Sequence, residues 1–227
     1  MTSFVLIPGA GGAAWYWHRV LPELRARGHE AVAVDLPAAD PAAGLAEYTD
    51  TVVAAVGDRT DVVLVAQSMG GLTAPLVARR VPTRMVVMLN AMTPRPGESG
   101  GEWWEVTGQA AAVEECARKG GWGTDDFLEL LFHDVPAPVR AEAMAGDAPD
   151  QSDTPFAAPW PGPDPVFAPG LPVRFLQGRD DRFFPLEFQR RLARDRLGVE
   201  LDEMPGGHLV ALSRPVELAD RLVAYLT

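Results

Sequence analysis

Residues 62–70 read VVLVAQSMG. An apolar run ends in Ala66 and Gln67, and then comes a lone hydroxyl, Ser68, followed by Met69, Gly70 and Gly71. Small side chains stand two positions before and two after the serine. Strand, then small-x-Ser-x-Gly, then helix is the pattern that exposes a serine hydroxyl on a sharp, strained turn at the end of a sheet. The neighbours must be small because strand and helix pass close together there. A serine also caps helices well, but the apolar strand before it favours a nucleophile. Residues 69–80 then supply a helix whose N-terminal amides and dipole face the reacting centre. Pro75 falls early in that helix, where it costs little.

A serine hydroxyl is a poor nucleophile until a base takes its proton. Of the four histidines, His208 lies in EMPGGHLVALSRP, after the last apolar run and before the final helical pattern. The Gly206-Gly207 pair makes an exposed turn from which an imidazole can reach the sheet edge carrying Ser68. His29 starts a strand at the opposite edge and reads as structural. His18 falls on the first helical pattern and His133 in the middle of the chain, neither at a strand end. For the carboxylate that orients the base, LQGRDDRFFP offers Asp180 and Asp181. Ser, Asp, His is the chain order in the fold where a serine stands on such a strand-to-helix turn. Asp181 is the choice, three residues after Gly178 and four before Pro185, which leaves Asp180 as a loop or capping residue. Asn90 ends the fourth apolar run, but an amide cannot stabilise an imidazolium by charge.

Near the N-terminus, PGAGGAAW (8–15) is a glycine-rich loop after an apolar run. In such a place a backbone N–H can point at a developing negative charge. The expected donors are the N–H groups of Ala10 and Met69. A phosphate loop is the competing reading, but the lysine of G-x-x-x-x-G-K-[ST] is missing. The glycines at 9, 11 and 12 also miss G-x-G-x-x-G, whose third position falls on Ala14, although Asp35 stands near the distance a dinucleotide site requires.

These groups must be positioned by a scaffold. Residues 3–8, 30–37, 61–67, 84–90, 173–178 and 199–205 read as strands, the first five with little polar alternation, as expected for strands buried on both faces. Helical spacing covers 15–27, 45–57, 69–80, 186–196 and 215–226. Alternating strand and helix predicts a mainly parallel, doubly wound α/β sheet. Residues 91–170 break the rhythm. GGEWWEVTGQAAAVEECARKG, TDDFLELLFHD and APVRAEAMAG are expected to be helical, and the proline-rich 148–170 to be an extended return. The expected organisation is a core of 1–90 and 171–227 interrupted by a helical cap, or lid, at 91–170.

The chain has 227 residues, 47% hydrophobic and 22% charged, enough for one sizeable core. A net charge of −11 argues against nucleic acid and anionic membrane as partners. One cysteine, Cys116, excludes an internal disulfide and fits a reducing compartment. Glu114 and Glu115 beside it disfavour a thiolate. No Cys/His cluster has metal-ligand spacing, and no apolar stretch approaches the ~20 residues that span a bilayer. The first residues lack the charge and apolar length of a secretory signal. RRLARDR (190–196) reads as a solvated helix face. The expectation is a cytoplasmic protein, a monomer or homodimer, needing no metal or organic cofactor.

Taken together, FVLIPGAGGAAWYWHRVLPEL, AVAVDLP, VAQSMGG, LNAMTPRPGES, GRDDRFFP and GGHLVALSRPVELADRL resemble the α/β-hydrolases. Within them the chain is similar to the small esterase and hydroxynitrile-lyase branch, which includes plant methyl-ester hydrolases. The resemblance implies a six-stranded α/β-hydrolase sheet without two leading antiparallel strands. It also implies Ser68 as nucleophile, His208 as base and acid, Asp181 as orienter, and Ala10 and Met69 as oxyanion donors. Two positions depart from the branch: Pro8 stands where histidine is usual, and Ala66 where glycine is. The lyases of the branch need a lysine beside the histidine and a hydroxyl in the oxyanion loop. Here Leu209 and PGAGGAA stand instead, so cyanide release is not expected. The resemblance puts Trp15 or Trp17 near the pocket wall, and the pocket expectation is Trp15, Trp17, Trp104 and Phe132. The expected activity is hydrolysis of a small or medium apolar carboxylic ester through an acyl-enzyme. Thioester or lactone cleavage, acyl transfer, or non-catalytic binding of a small ligand are the alternatives.

Overall fold

The computed structural model describes residues 2–145 and 150–227. Six strands form one sheet: β1 (Ser3–Ile7), β2 (Glu30–Ala33), β3 (Val62–Gln67), β4 (Thr83–Leu89), β5 (Val173–Gly178) and β6 (Leu201–Met204). Their order is β2-β1-β3-β4-β5-β6, and every neighbouring pair is parallel. All residues of β1 and β3 are buried, as their unbroken apolar runs require.

Alternate side chains of each strand feed two separate cores. Val5, Ile7, Leu64, Val86, Met88 and Phe175 pack on one face with residues of α2 (Leu45–Val56), α3 (Gly70–Val77) and α9 (Leu186–Leu192). Phe4, Leu6, Val63, Val65, Val87 and Leu176 pack on the other with α1 (Val20–Ala26) and α11 (Pro215–Ala224). The period of two along a strand makes this two-sided division.

The order of strands reverses at β1, which lies between β2 and β3. The loops leaving β1 and β3 therefore run to opposite faces and open a crevice at their C-terminal ends. Register places Ile7 beside Ala66, so the glycine-rich loop and Ser68 leave the sheet next to each other.

The predicted elements shift at their ends for local reasons. The helix expected over 15–27 is a 3₁₀ turn (Ala14–Trp17) followed by α1, whose third residue is Pro22. The helix after β5 stops at Leu192, widens into a π turn (Ala193–Leu197) and ends at Gly198 with φ 66°.

Between β4 and β5 the described residues carry helices and no strand of the sheet. Gly108, in left-handed conformation, breaks the first stretch into α4 (Gly100–Thr107) and α5 (Gln109–Gly120). Ser99 and Glu102 form a reciprocal capping box at the start of α4. Then come α6 (Phe127–Phe132), α7 (Ala137–Ala145) and a single turn, α8 (Thr154–Ala157). Gly146 of the helical expectation and residues 148 and 149 of the proline-rich return lie outside the described residues. The rest of that return is tied to the core: Trp160 is buried and donates its indole N–H to the Leu72 carbonyl at 2.8 Å. A single turn, α10 (Val210–Ser213), and the longer helix α11 close the chain. Among the described residues no helix is long and apolar enough to cross a membrane.

Candidate active site

Ser68 follows β3 with φ 51°, a left-handed backbone that non-glycine residues seldom adopt. Its surroundings hold it there. A Cβ on Gly70 would meet the Pro8 carbonyl oxygen at 2.7 Å, and one on Gly71 would meet the Met92 carbonyl oxygen at 2.1 Å. Gly9 faces the serine so closely that a Cβ would lie 2.9 Å from Ser68 Cβ. Close approach thus favours glycine at all three positions, and of these Gly70 is the one that the small-x-Ser-x-Gly pattern demands. Ala66 is fully buried against its neighbours, so the methyl group there is accommodated.

The imidazole of His208 is almost completely buried. Its Nε2 lies 3.1 Å from Ser68 Oγ, and its Nδ1 lies 2.9 Å from Asp181 Oδ2. With a carboxylate as the acceptor at Nδ1, the proton of the neutral ring belongs on Nδ1, which leaves Nε2 free to accept from the serine hydroxyl.

Asp181 is enclosed by donors. Its Oδ1 accepts the N–H groups of Phe183 and Phe184, both at 2.8 Å, and its Oδ2 accepts Gln177 Nε2 at 3.1 Å. A carboxylate with no exposed side-chain surface needs such partners to offset lost hydration. Asp180 points elsewhere, accepting the Gly206 N–H at 3.1 Å, which is the loop role expected of it. Phe183 and Phe184 stand edge-on to the imidazole at 5.1 and 5.0 Å and shut water out from that side.

Ala10 and Met69 line the cavity beside Ser68. Met69 precedes α3, where backbone N–H groups lack intrahelical partners. The loop of Ala10 is shaped by Gly11 and Gly12, both at positive φ, and is gripped by the return segment, because Gln151 Oε1 accepts the Gly11 N–H at 3.0 Å.

The cavity holds about 180 Å³. Apart from the serine, the histidine and Gln67 its walls are apolar: Met92, Trp104, Phe127, Leu131, Phe156 and Phe183 dominate. Of the four aromatics expected at the pocket, Trp104 is on this wall. Trp15, Trp17 and Phe132 are not, and each is a correction. Trp17 has no exposed surface and packs in the core between the sheet and α1. Trp15 stacks on His18 at 4.5 Å and leans on that same core. Phe132 joins it too: on α6 it stands about 100° round from Leu131, which lies between the cavity and that core, and about 140° round from the cavity-lining Phe127. A wider cleft of about 470 Å³ lies beyond Asp181, bounded by Cys116, Trp122 and Arg182, and is not lined by Ser68 or His208.

The sequence did not disclose what a set of carboxamides does. Gln67, Asn90 and Gln177 each close an apolar strand, and each places its amide in the site: Gln177 on Asp181, Asn90 and Gln67 on the backbone of the histidine loop. A polar amide ending three neighbouring buried strands was the available signal. Asp134, which accepts the Gly207 N–H at 2.8 Å, carried none.

The model of the alpha/beta hydrolase family matches residues 4–221. The chain belongs to that family. A "Probable esterase PIR7A" of Oryza sativa subsp. indica is 30% identical over 263 aligned residues, covering 97% of this hydrolase and 95% of the relative. An "Alpha-hydroxynitrile lyase" of Arabidopsis thaliana is 25% identical, covering 99% and 96%. Among solved structures, polyneuridine aldehyde esterase superposes on this alpha/beta hydrolase with a TM-score of 0.78 at 22% identity, covering all of both chains. Polyneuridine aldehyde esterase of Rauvolfia serpentina is also a sequence relative, 32% identical over 42% of the chain and 41% of the relative.

Proposed function

We propose that this alpha/beta hydrolase is a serine-dependent carboxylic-ester hydrolase that cleaves small or medium apolar esters through an acyl-enzyme. One observation carries the reading: a hydroxyl, an imidazole and a carboxylate, linked at 3.1 and 2.9 Å, open onto an apolar cavity. The names of its relatives, a probable esterase and a polyneuridine aldehyde esterase, support the reaction class.

In this mechanism Ser68 Oγ attacks the ester carbonyl while His208 Nε2 takes its proton. Asp181 holds the ring tautomer and stabilises the imidazolium. The N–H groups of Ala10 and Met69 take up the charge of the tetrahedral oxyanion, each donor contributing about 3–4 kcal/mol in comparable sites. His208 then protonates the leaving alcohol, and water repeats the sequence on the acyl-enzyme. Residues 91–170 act as a helical cap over the core, supplying Trp104, Phe127 and Leu131 to the substrate cavity. No cofactor is required, and the single cysteine suits a cytoplasmic setting.

The decisive experiment is labelling with a fluorophosphonate, located by peptide mass spectrometry, alongside a panel of esters, thioesters and lactones. Label on Ser68, loss of label in Ser68→Ala and preference for apolar esters are expected. Full turnover by Ser68→Ala would remove the mechanism. Preference for thioesters or lactones would move the activity within the same chemistry, and an unlabelled protein that still binds apolar ligands would make it a binder.

A further inference from the structure

Asn90 follows β4 fully buried, with φ 45°. That backbone is unusual outside glycine, and asparagine is among the residues that tolerate it. The side chain spans three points. Oδ1 accepts the N–H of Gly178, at the end of β5, at 2.7 Å. Nδ2 donates to the carbonyl oxygens of Gly207 and His208, at 3.1 and 2.9 Å. One partner is a donor and two are acceptors, so the amide orientation follows from chemistry. A carboxamide is the matching group, since a carboxylate has no hydrogen to give to either carbonyl.

The loop it holds has little stiffness of its own. Gly206 (φ 121°) and Gly207 immediately precede the histidine, and glycine restrains the backbone least. Asp134 takes the Gly207 N–H from the side of the 91–170 insertion, while Asn90 takes the carbonyl of that residue from the sheet side. The next carbonyl in the chain is that of His208 itself, also bonded to Asn90.

The geometry points to Asn90 as a positioning residue for His208. It ties the strand that leads to Asp181 to the loop that carries the imidazole, and so sets the ring between Ser68 Oγ and Asp181 Oδ2. This inference rests on the Ser68–His208–Asp181 chemistry proposed above. A displacement of about 1 Å at a reacting group can cost about 100-fold in rate, so a looser histidine loop should lower kcat while leaving the apolar cavity, and with it KM, nearly unchanged.

The test compares Asn90→Gly and Asn90→Asp with the wild type. The glycine variant keeps the left-handed backbone and deletes the amide. The aspartate variant keeps the size and the acceptor for Gly178 but faces both carbonyls with lone pairs. Turnover of p-nitrophenyl acetate, fluorophosphonate labelling rate, melting temperature and the low-field imidazole Nδ1 proton resonance are measured. Both variants should lose about 10- to 100-fold in kcat and in labelling rate, with KM within about twofold and the Nδ1 resonance shifted or broadened. A folded Asn90→Gly with wild-type kcat and resonance overturns the inference. If that variant does not fold, wild-type kcat in Asn90→Asp overturns it equally. Labelled wild type with unaffected variants brings down this inference alone, whereas wild type that takes no label at Ser68 brings down the triad reading and this inference with it.

Discussion

Gly70 lies under the end of β1, where a Cβ would come within 2.7 Å of the Pro8 carbonyl oxygen and 3.1 Å of the Ile7 carbonyl oxygen. Both obstacles are backbone and cannot rotate away. Gly70→Ala must therefore push the Ser68 turn and the glycine-rich loop apart. The expected result is a loss of about 1–3 kcal/mol in stability, as for overpacked cores, together with a kcat loss larger than the loss of folded protein explains. Urea unfolding and active-site titration on the same samples check it. An unchanged midpoint would show that the close approach is not real.

Asp180 and Asp181 separate cleanly by substitution. Asp181→Asn keeps the shape but cannot stabilise an imidazolium or hold the proper tautomer, and kcat should fall by about 10³–10⁴-fold. Asp180→Asn retains an oxygen to accept the Gly206 N–H and should stay within about twofold of wild type. Steady-state kinetics decide the matter, and similar losses in both would place the carboxylate wrongly.

Two faces of α6 predict opposite outcomes. Phe127 lines the cavity yet is 55% exposed, so Phe127→Ala should cost under about 0.5 kcal/mol in stability while raising KM for apolar esters. Phe132 is 9% exposed and packs in the core, so Phe132→Ala should cost about 3–5 kcal/mol without changing the order of substrate preference. Thermal melts and an acyl-chain-length series distinguish the two.

Burial, and secondarily the charge of Asp181, raises the pKa of the Cys116 thiol above its ordinary value. The thiol is then protonated at neutral pH, and its thiolate forms only at higher pH than in a free cysteine. Alkylation by iodoacetamide at pH 7 should be slower than that of glutathione and should gain on it as pH rises. Cys116→Ser should keep its activity. Rapid alkylation at pH 7 with loss of turnover would contradict both statements.

Ser68, Asp181 and His208, which meet in the fold, stood out in the sequence because their surroundings are specified within a few residues. Ser68 needed an apolar strand before it and small residues at 66 and 70, and these are steric demands written locally. The histidine needed Gly206 and Gly207 next to it. Asn90 was noticed only as a place where an acid is missing. Its actual partners, Gly178, Gly207 and His208, lie 88, 117 and 118 residues away in sequence, and no local pattern reports such pairings.

By itself the sequence determined the alternation of buried strands and helices, and the segments that leave the sheet bearing a hydroxyl, a carboxylate and an imidazole. Those properties follow from periodicity and from backbone sterics over short spans. Which aromatics face the cavity and which carboxamides bond to the histidine loop was decided only in the folded chain. A helix of known sequence can present any of its faces, and the choice between Phe127 and Phe132 is made by what packs against it from elsewhere in the chain.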